Sequence, residues 1–495
     1  MQPLDRVRAE EEGPKLRRAL GWPSLIAIGL GTMLGGVFTT MGVGAQVAGP
    51  GVVLGFLLSG IACVFVALCY AEFASMVPVA GSAYTYAYAT LGEIVAWVIG
   101  WDLILEYGIS AAPVASSLSG YVQNILNTAG LVLPKWAQSA HLAATMSPIT
   151  IGSLHFSVPT SINLISSHYD VIAALVVLIV SALLALGIRE SAGTNAAFVL
   201  LQLVAFAVFI VGCISAIHPA NFVPFAPLGF KGIAASAALV FFAYIGFDTV
   251  TVAAEESHTP QRDLPIGVIG SLLVGGILYM TVAIITVGVV PWRHMDTNAA
   301  LGQAAAIAHP HNFAFINIVS LGGVFGNISV MLTSLLGQVR IFYVMARDRM
   351  LPPSVARVHP VYRTPARVTM ITGAIVAVLA AVVPLEYLLA LVNIGTLSAF
   401  TIVCVGVLVL RYTHPDAKRP YKAPMGPLVG ALGAAMCLYL MVYLGGPTWV
   451  RFIVWFLAGM IVYAAYGFRH SLLRDERPQP RGGSPAPVSE PASSA

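Results

Sequence analysis

Charge is what this sequence has least of. Only 9% of its 495 residues are Asp, Glu, Lys or Arg, and 58% are hydrophobic. A typical soluble domain is about 25% charged. With a mean hydropathy of +0.85, the chain could not clothe a soluble surface. A cytosolic enzyme, a disordered chain and a nucleic-acid binder are excluded on that ground. Cysteine is scarce as well. Cys63, Cys69, Cys213, Cys404 and Cys437 all lie inside apolar runs and form no CxxC pair. That argues against a disulfide framework or a zinc site, and the five read as small buried side chains. The eleven histidines, mostly in polar connections, form no metal-ligand spacing. Neither a metal nor a cofactor is called for. A cleavable signal is not expected either, because the charged first twenty residues lead into an apolar stretch that lacks an A-x-A site.

What fills the sequence is long apolar runs. A spanning helix needs about 20 mostly apolar residues. Candidate spans fall at 24–46, 51–77, 83–113, 169–188, 191–217, 232–256, 264–290, 312–346, 367–384, 386–411, 427–445 and 450–468. In hydrocarbon only helices or closed barrels satisfy the backbone, and runs this continuous argue for helices. The expectation is an all-α integral membrane protein with about twelve transmembrane helices. Placing both termini in the cytoplasm puts 21 of the 25 Lys and Arg residues inside, leaving Lys135, Lys231, Arg293 and Arg451 outside. That asymmetry favours an even number of passes. Residues 114–168 form a long outer connection, part of it extending the third helix. Residues 347–366 are basic and cytoplasmic, and the Pro/Ser/Ala-rich tail is too polar to pack.

Two spans look interrupted. The first carries Gly29, Gly31, Gly35 and Gly36, then Gly42, Gly44, Gly49 and Pro50. Small residues also mark close helix packing, and that reading stands beside the first. A break at mid-bilayer frees backbone N–H and C=O groups, tolerable only where they face a cavity or a ligand. The N–H end of a half-helix suits a carboxylate, and the opposing carbonyls suit an ammonium. The sixth span repeats the theme in FFAYIGFDT (241–249). A charge at the bilayer centre costs about 2.5–3.5 kcal/mol, so Asp248 should face protein or water. Paired interruptions at positions one and six point to a transporter built from two inverted five-helix repeats, with the site between them. An α-amino acid carries the two charges such a site would meet.

Longer motifs carry a resemblance. CYAEFASMVPVAGSAYTYAY (69–88), GWDLILEYG (100–108), FFAYIGFDTVTVAAEESHTPQRDLPIG (241–267), LLGQVRIFYVMARDRMLP (335–352), LVNIGTLSAF (391–400) and RPYKAP (419–424) occur in this order. From about Leu20 to Gly467 the chain resembles bacterial amino-acid permeases of the amino acid–polyamine–organocation (APC) superfamily, in the branch similar to the cationic amino acid transporters. The resemblance implies a LeuT-type fold. Residues 21–217 would form the first repeat and 232–411 the second. Helices at 427–469 are additional, flanked by a cytoplasmic segment at 1–20 and a disordered cytoplasmic tail at 470–495. It also implies that helices one and six are unwound at mid-membrane. The backbone N–H groups of Gly35, Gly36 and Val37 would hold the substrate carboxylate. Carbonyls near Met33 and Leu34, and at Phe242, Ala243 and Ile245, would hold the amine. Phe242 would gate the ligand, and Glu106 and Met331 would shape the side-chain pocket.

Two departures stand out. Val37 occupies the last glycine of the family's usual first-helix pattern. A backbone N–H survives that change, but a β-branched residue does not comfortably take φ > 0. Gln202 stands where proton-coupled members carry a lysine, and glutamine cannot titrate. The function implied is secondary active transport of an α-amino acid across the cell membrane, by proton symport or exchange, with no nucleic-acid partner. An accessory subunit is not specified. A polyamine or organocation antiporter of the same fold and a passive channel are the alternatives. The chain shows no nucleophile–base or metal cluster of an enzyme.

Individual polar residues carry more than one reading. Glu72 snorkels to the cytoplasmic interface, caps the next helix, or has a functional role. Asp102 and Glu106, four apart, share one helix face; Asp102 is hydrogen-bonded in the bundle, and Glu106 serves substrate or proton. Asp248 caps the second half of its helix. Glu255 and Glu256 close the inner end of the sixth span, the second paired with a basic loop residue. Thr333 and Ser334 could join first-helix carbonyls around sodium, although hydroxyls are common in membrane helices.

Overall fold

A computed structural model describes residues 20–76, 84, 87, 92–151, 154–187, 192–252, 257–362, 364–413, 415 and 419–471. The charged N-terminal segment, Glu255, Glu256 and the tail lie outside the described residues.

Helices fall where hydropathy places the twelve spans. The first pass is α1 (Trp22–Met33) with α2 (Gly35–Ala48). A turn at Gly49–Gly51 leads to α3 (Val52–Met76), the second span. The third is α4 (Glu93–Thr128). The fourth and fifth are α5 (Val171–Ala185) and α6 (Ala192–Cys213). The sixth comprises α7 (Gly229–Val240), a 3-10 turn (Phe241–Tyr244) and α8 (Thr249–Val252). The seventh is α9 (Pro260–Val289). After the short α10 (Ala300–Ala308) comes the eighth, α11 (Phe313–Arg347). The ninth and tenth are α12 (Ala366–Val382) and α13 (Leu385–Thr413). The last two are α14 (Pro427–Tyr443) and α15 (Gly446–Val462), which runs on to α16 (Phe468–His470).

The third helix differs from its expected bounds of 83–113. It starts after Gly92, at φ +97°, and continues through Pro113 to Thr128. Its 36 residues reach about 54 Å at 1.5 Å per residue, well past a hydrocarbon core of about 30 Å. The outer connection therefore does extend the third helix, as foreseen. The rest of it holds an element the all-helical reading missed: an antiparallel hairpin of β1 (His141–Ile151) and β2 (Leu154–His168). These stretches carry repeated Ile and Thr, which suit strands and do not form a helical stripe.

Packing pairs each of the first four spans with the one five places on. The second lies along the seventh, the third along the eighth, the fourth along the ninth, and α2 along α7. The fifth packs on the eighth as the tenth packs on the third. The seventh packs on α1 as the second packs on α7. Leu175, Leu178, Ile179 and Leu183 on the fourth span, and Ile453, Val454, Leu457 and Ile461 on the twelfth, are exposed in the isolated chain. Such outward aliphatic faces are what lipid solvates. Buried hydroxyls and amides gather instead on the first, third and eighth spans, as in Thr39, Ser117 and Asn327.

Candidate functional site

The sixth span is opened by its own backbone. Its first half ends at Val240, and Ile245 is extended (φ −61°, ψ 135°). Gly246 follows at φ +114°, a conformation L side chains rarely adopt. The freed carbonyls find donors from neighbouring helices. Asn393 Nδ2 of the tenth span donates to Ala238 O and Leu239 O at 2.7 and 2.9 Å. Ser59 of the second span donates to Ala237 O at 2.6 Å. Thr32 and Thr249 both donate to Gly246 O, at 2.9 and 2.6 Å. An interruption supported from three spans is a built feature, since unpaired groups in hydrocarbon would cost several kcal/mol each.

The first span is interrupted far less. Only Leu34 separates α1 from α2. It keeps helical angles (φ −56°, ψ −31°), and its N–H reaches Leu30 O at 2.9 Å. Gly36 lets the two interruptions meet. A Cβ built there would lie 2.5 Å from Ala243 Cα, so no side chain larger than hydrogen fits without moving backbone. Above this point Ser117 and Tyr121 of the third span each donate to Phe38 O at 3.2 Å. Thr39 donates to Asn327 Oδ1 of the eighth span at 3.0 Å.

A third element joins the interruptions. Tyr279 of the seventh span is fully buried. Its hydroxyl lies 2.7 Å from Met33 O and 2.9 Å from Ala243 O. One phenolic hydrogen thus serves two carbonyls, one from each interrupted span. Sequence reasoning passed over Tyr279; a lone phenol after Gly275 and Gly276 in an aliphatic run was the available signal.

Beside this junction lies a small cavity. It is lined by Thr32, Met33, Gly36, Glu106, Tyr107, Ser110, Phe242, Ile245, Gly246, Asp248, Thr249, Val330, Thr333 and Ser334. About 40 Å³ of it admits the centre of a water molecule. At roughly 10–15 Å³ per water on this measure, it has room for about three waters. A larger occupant requires a wall residue such as Phe242 to move.

Of the residues expected at the site, Met33, Gly36, Glu106, Phe242 and Ile245 stand on the cavity wall. Leu34, Gly35, Val37 and Ala243 are buried outside that lining. Met331 packs with Phe242 in an apolar cluster, and its neighbours Val330 and Thr333 face the cavity instead. Gln202 is buried, and neither polar atom of its amide has a hydrogen-bond partner. It lies against Gly326 of the eighth span, at the place where that span touches Gly35.

The acidic residues divide clearly. Asp248 lies on the wall, its carboxylate against the backbone N–H groups of its own turn and the Tyr107 hydroxyl. Both oxygens of Glu106 and both of Asp102 are buried without a hydrogen-bond donor. Asp102, read from the sequence as hydrogen-bonded in the bundle, faces the Ser398 hydroxyl of the tenth span without a bond of good geometry. Glu72 neither snorkels nor caps. It is buried in a forked ion pair with Arg411, with Arg419 Nε at 3.5 Å, and it accepts the Ala423 N–H at 2.9 Å. Thr333 spends its hydroxyl on Ser329 O at 3.0 Å.

A multi-pass helical bundle with a cavity of mixed apolar and polar lining where two interrupted spans meet has the anatomy of a membrane transporter. Residues 20–466 match the family model described as amino acid permease. The branched-chain amino acid permease BcaP of Bacillus subtilis (strain 168) is 42% identical over 95% of this chain and 97% of its own length. The methylthioribose transporter of the same organism is 38% identical, over 95% of this chain and 98% of its own. The vacuolar cationic amino acid transporter 2 of Arabidopsis thaliana is 38% identical over 83% of this chain, which spans 63% of that longer relative. The chain belongs to the amino acid permease family, whose members here are named as transporters and not as enzymes.

Proposed function

We propose that this permease moves an α-amino acid across the cell membrane by alternating access around the cavity between its first and sixth spans. The carrying observation is the Gly36–Ala243 contact, which sets two sets of interrupted backbone side by side at a cavity whose lining includes Glu106 and Asp248. The amine would meet the carbonyls of Met33 and Ala243, and the carboxylate the amide end of α2 at Gly35, Gly36 and Val37. The pairing of the first four spans with those five places on supports two five-helix repeats, at 21–217 and 232–411, moving against each other. The distribution of Lys and Arg supports cytoplasmic termini.

Met33, Phe242, Ile245 and Val330 give the cavity an apolar wall, and a relative at 42% identity is named for branched-chain substrates. A neutral aliphatic amino acid is therefore the first substrate to test. Glu106 on the same wall favours a second reading, a cationic side chain. Purified protein in liposomes, preloaded with each of the twenty amino acids or a polyamine, should show counterflow of the matching radiolabel. Counterflow with valine, leucine or isoleucine supports the first reading, and counterflow only with lysine, arginine or ornithine the second. Current without saturation would make it a channel.

A further inference from the structure

A proton-coupled carrier needs a group that takes up and gives back a proton during its cycle. Position 202 holds an amide that cannot do so. The described residues within the spans offer few substitutes. Glu72 is locked to Arg411, and Asp248 is held by the amides of its turn. Glu93 accepts from Tyr463 at 2.8 Å. Asp263 accepts from Thr259 N and Oγ1 at 3.1 and 2.7 Å.

Asp102 and Glu106 are different. They are 0% and 1% exposed, and none of their four oxygens has a donor. Four residues apart on one helix, they stand about 6 Å apart along its axis and face the same way. Both look onto the tenth span, Glu106 toward Thr396 and Asp102 toward Ser398. Thr396 has Val392 O as its acceptor of good geometry, at 3.1 Å. Glu106 opens on the cavity, while Asp102 lies outside its lining, one turn nearer the Glu93 end of the span.

An ionised carboxylate buried without a donor is costly by several kcal/mol, and a bound proton or an approaching cation removes that cost. The groups facing Glu106 are Asp248 of the sixth span, Asp102 and Tyr107 of its own, and Tyr70 of the second. Arg340 of the eighth acts on Tyr107. Among these neighbours two are carboxylates and the one cation, Arg340, acts on Tyr107, so none of them is a fixed positive charge that holds both Asp102 and Glu106 ionised.

We infer that Asp102 and Glu106 of the third span form the coupling site. Glu106 receives a proton through the cavity together with substrate, and Asp102 passes it toward the cytoplasmic end of the helix. The step is a protonation only: hydronium gives a proton to a carboxylate and leaves water, and the reverse occurs on release. This rests on the amino-acid permease reading and adds the identity of the coupling ion and its carriers.

The test uses full-length protein in liposomes with a counterflow substrate. Across an acid-outside gradient of one pH unit, one coupled proton supports about tenfold accumulation, abolished by a proton ionophore. Asp102→Asn should keep counterflow and lose gradient-driven accumulation, and Asp102→Glu should restore it. Glu106→Gln should make the apparent KM independent of external pH. In wild type, adding substrate should draw protons from the medium. An infrared difference spectrum should carry a carboxylic-acid C=O band that Asp102→Asn diminishes. Asp102→Asn accumulating substrate like wild type overturns the inference. So does wild-type counterflow without substrate-driven proton uptake, which leaves the amino-acid reading intact and remains readable if Asp102→Asn fails to fold. Absence of counterflow with every amino acid removes that reading and this inference with it.

Discussion

Removing the Tyr279 hydroxyl is a sharp perturbation because it deletes one atom at the point where both interrupted spans converge. The ring of Tyr279 packs edge-on against Tyr244, with centroids 5.2 Å apart, so Tyr279→Phe keeps the packing. What it takes away is the shared donor to Met33 O and Ala243 O. A buried acceptor left without its partner costs about 1–3 kcal/mol, and one hydroxyl supplies about one such bond here. The substrate-free protein should therefore lose about 1–3 kcal/mol, read as a lower midpoint of thermal unfolding. In the proposed complex a substrate ammonium supplies donors to these same two carbonyls. Substrate should then restore in the variant much of what the hydroxyl supplied, whereas in wild type it competes with that hydroxyl. The ligand-induced rise in unfolding temperature should be larger in Tyr279→Phe than in wild type. Apparent affinity should tighten, by about tenfold if 1.4 kcal/mol of the loss is recovered. Turnover should fall, because a more tightly held substrate leaves more slowly. The assay is a thermal-shift titration with the counterflow substrate, followed by uptake kinetics. A folded Tyr279→Phe protein with an equal or smaller ligand shift would refute the assignment of these carbonyls to the substrate amine.

Other outcomes follow from the same geometry. Gly36→Ala sets a methyl 2.5 Å from Ala243 Cα, backbone against backbone, and should abolish uptake while protein still reaches the membrane; normal uptake would separate the site from this contact. Gly246→Ala imposes a side chain at φ +114°, with Thr32 Oγ1 2.9 Å from the new carbon. It should destabilise by at least about 1 kcal/mol, seen in the unfolding midpoint. Glu72→Gln leaves the guanidinium groups of Arg411 and Arg419 without their carboxylate near the end of the second span. Breaking a buried pair from one side costs about 3–5 kcal/mol. The double change Glu72→Gln with Arg411→Gln should lose less than the sum of its parts, by a double-mutant cycle on thermal stability.

The class of molecule was legible because lipid imposes a rule that composition cannot hide: the backbone must pair with itself along long apolar runs. Twelve such runs mark where the helices lie. What the runs could not give was the end of the third helix. Pro113 reads as a stop, yet a helix of this length absorbs one missing hydrogen bond, and Thr128 is the true end. The hairpin at 141–168 escaped because hydropathy asks only whether a segment can cross lipid. At the site, Gly36 was legible in the glycine cluster of the first span, and Phe242 through the family resemblance. Tyr279 and Thr32 were not, since their role comes from partners 36 to 246 positions away in sequence.

The two interruptions are unequal, and their inequality bears on mechanism. Glycine density suggested a break in the first span, yet there helical angles persist through Leu34. In helices, glycine density records close approach as readily as unwinding, and at Gly36 it records approach to Ala243. The deeper break lies in the sixth span, which has one glycine at positive φ and an aspartate two residues on. There the chain leaves helical angles between Ile245 and Asp248, and donors from the first, second and tenth spans support it. A backbone already out of its ladder can change its angles without breaking intrahelical bonds. Under the alternating access proposed above, Ile245 and Gly246 would be the hinge between α7 and α8, coupled to the first span through the Thr32 and Tyr279 bridges. Stiffening this point has a distinct signature. Gly246→Ala should slow exchange more than it weakens equilibrium binding of substrate, whereas Gly36→Ala, which crowds the junction beside the cavity, should impair binding itself.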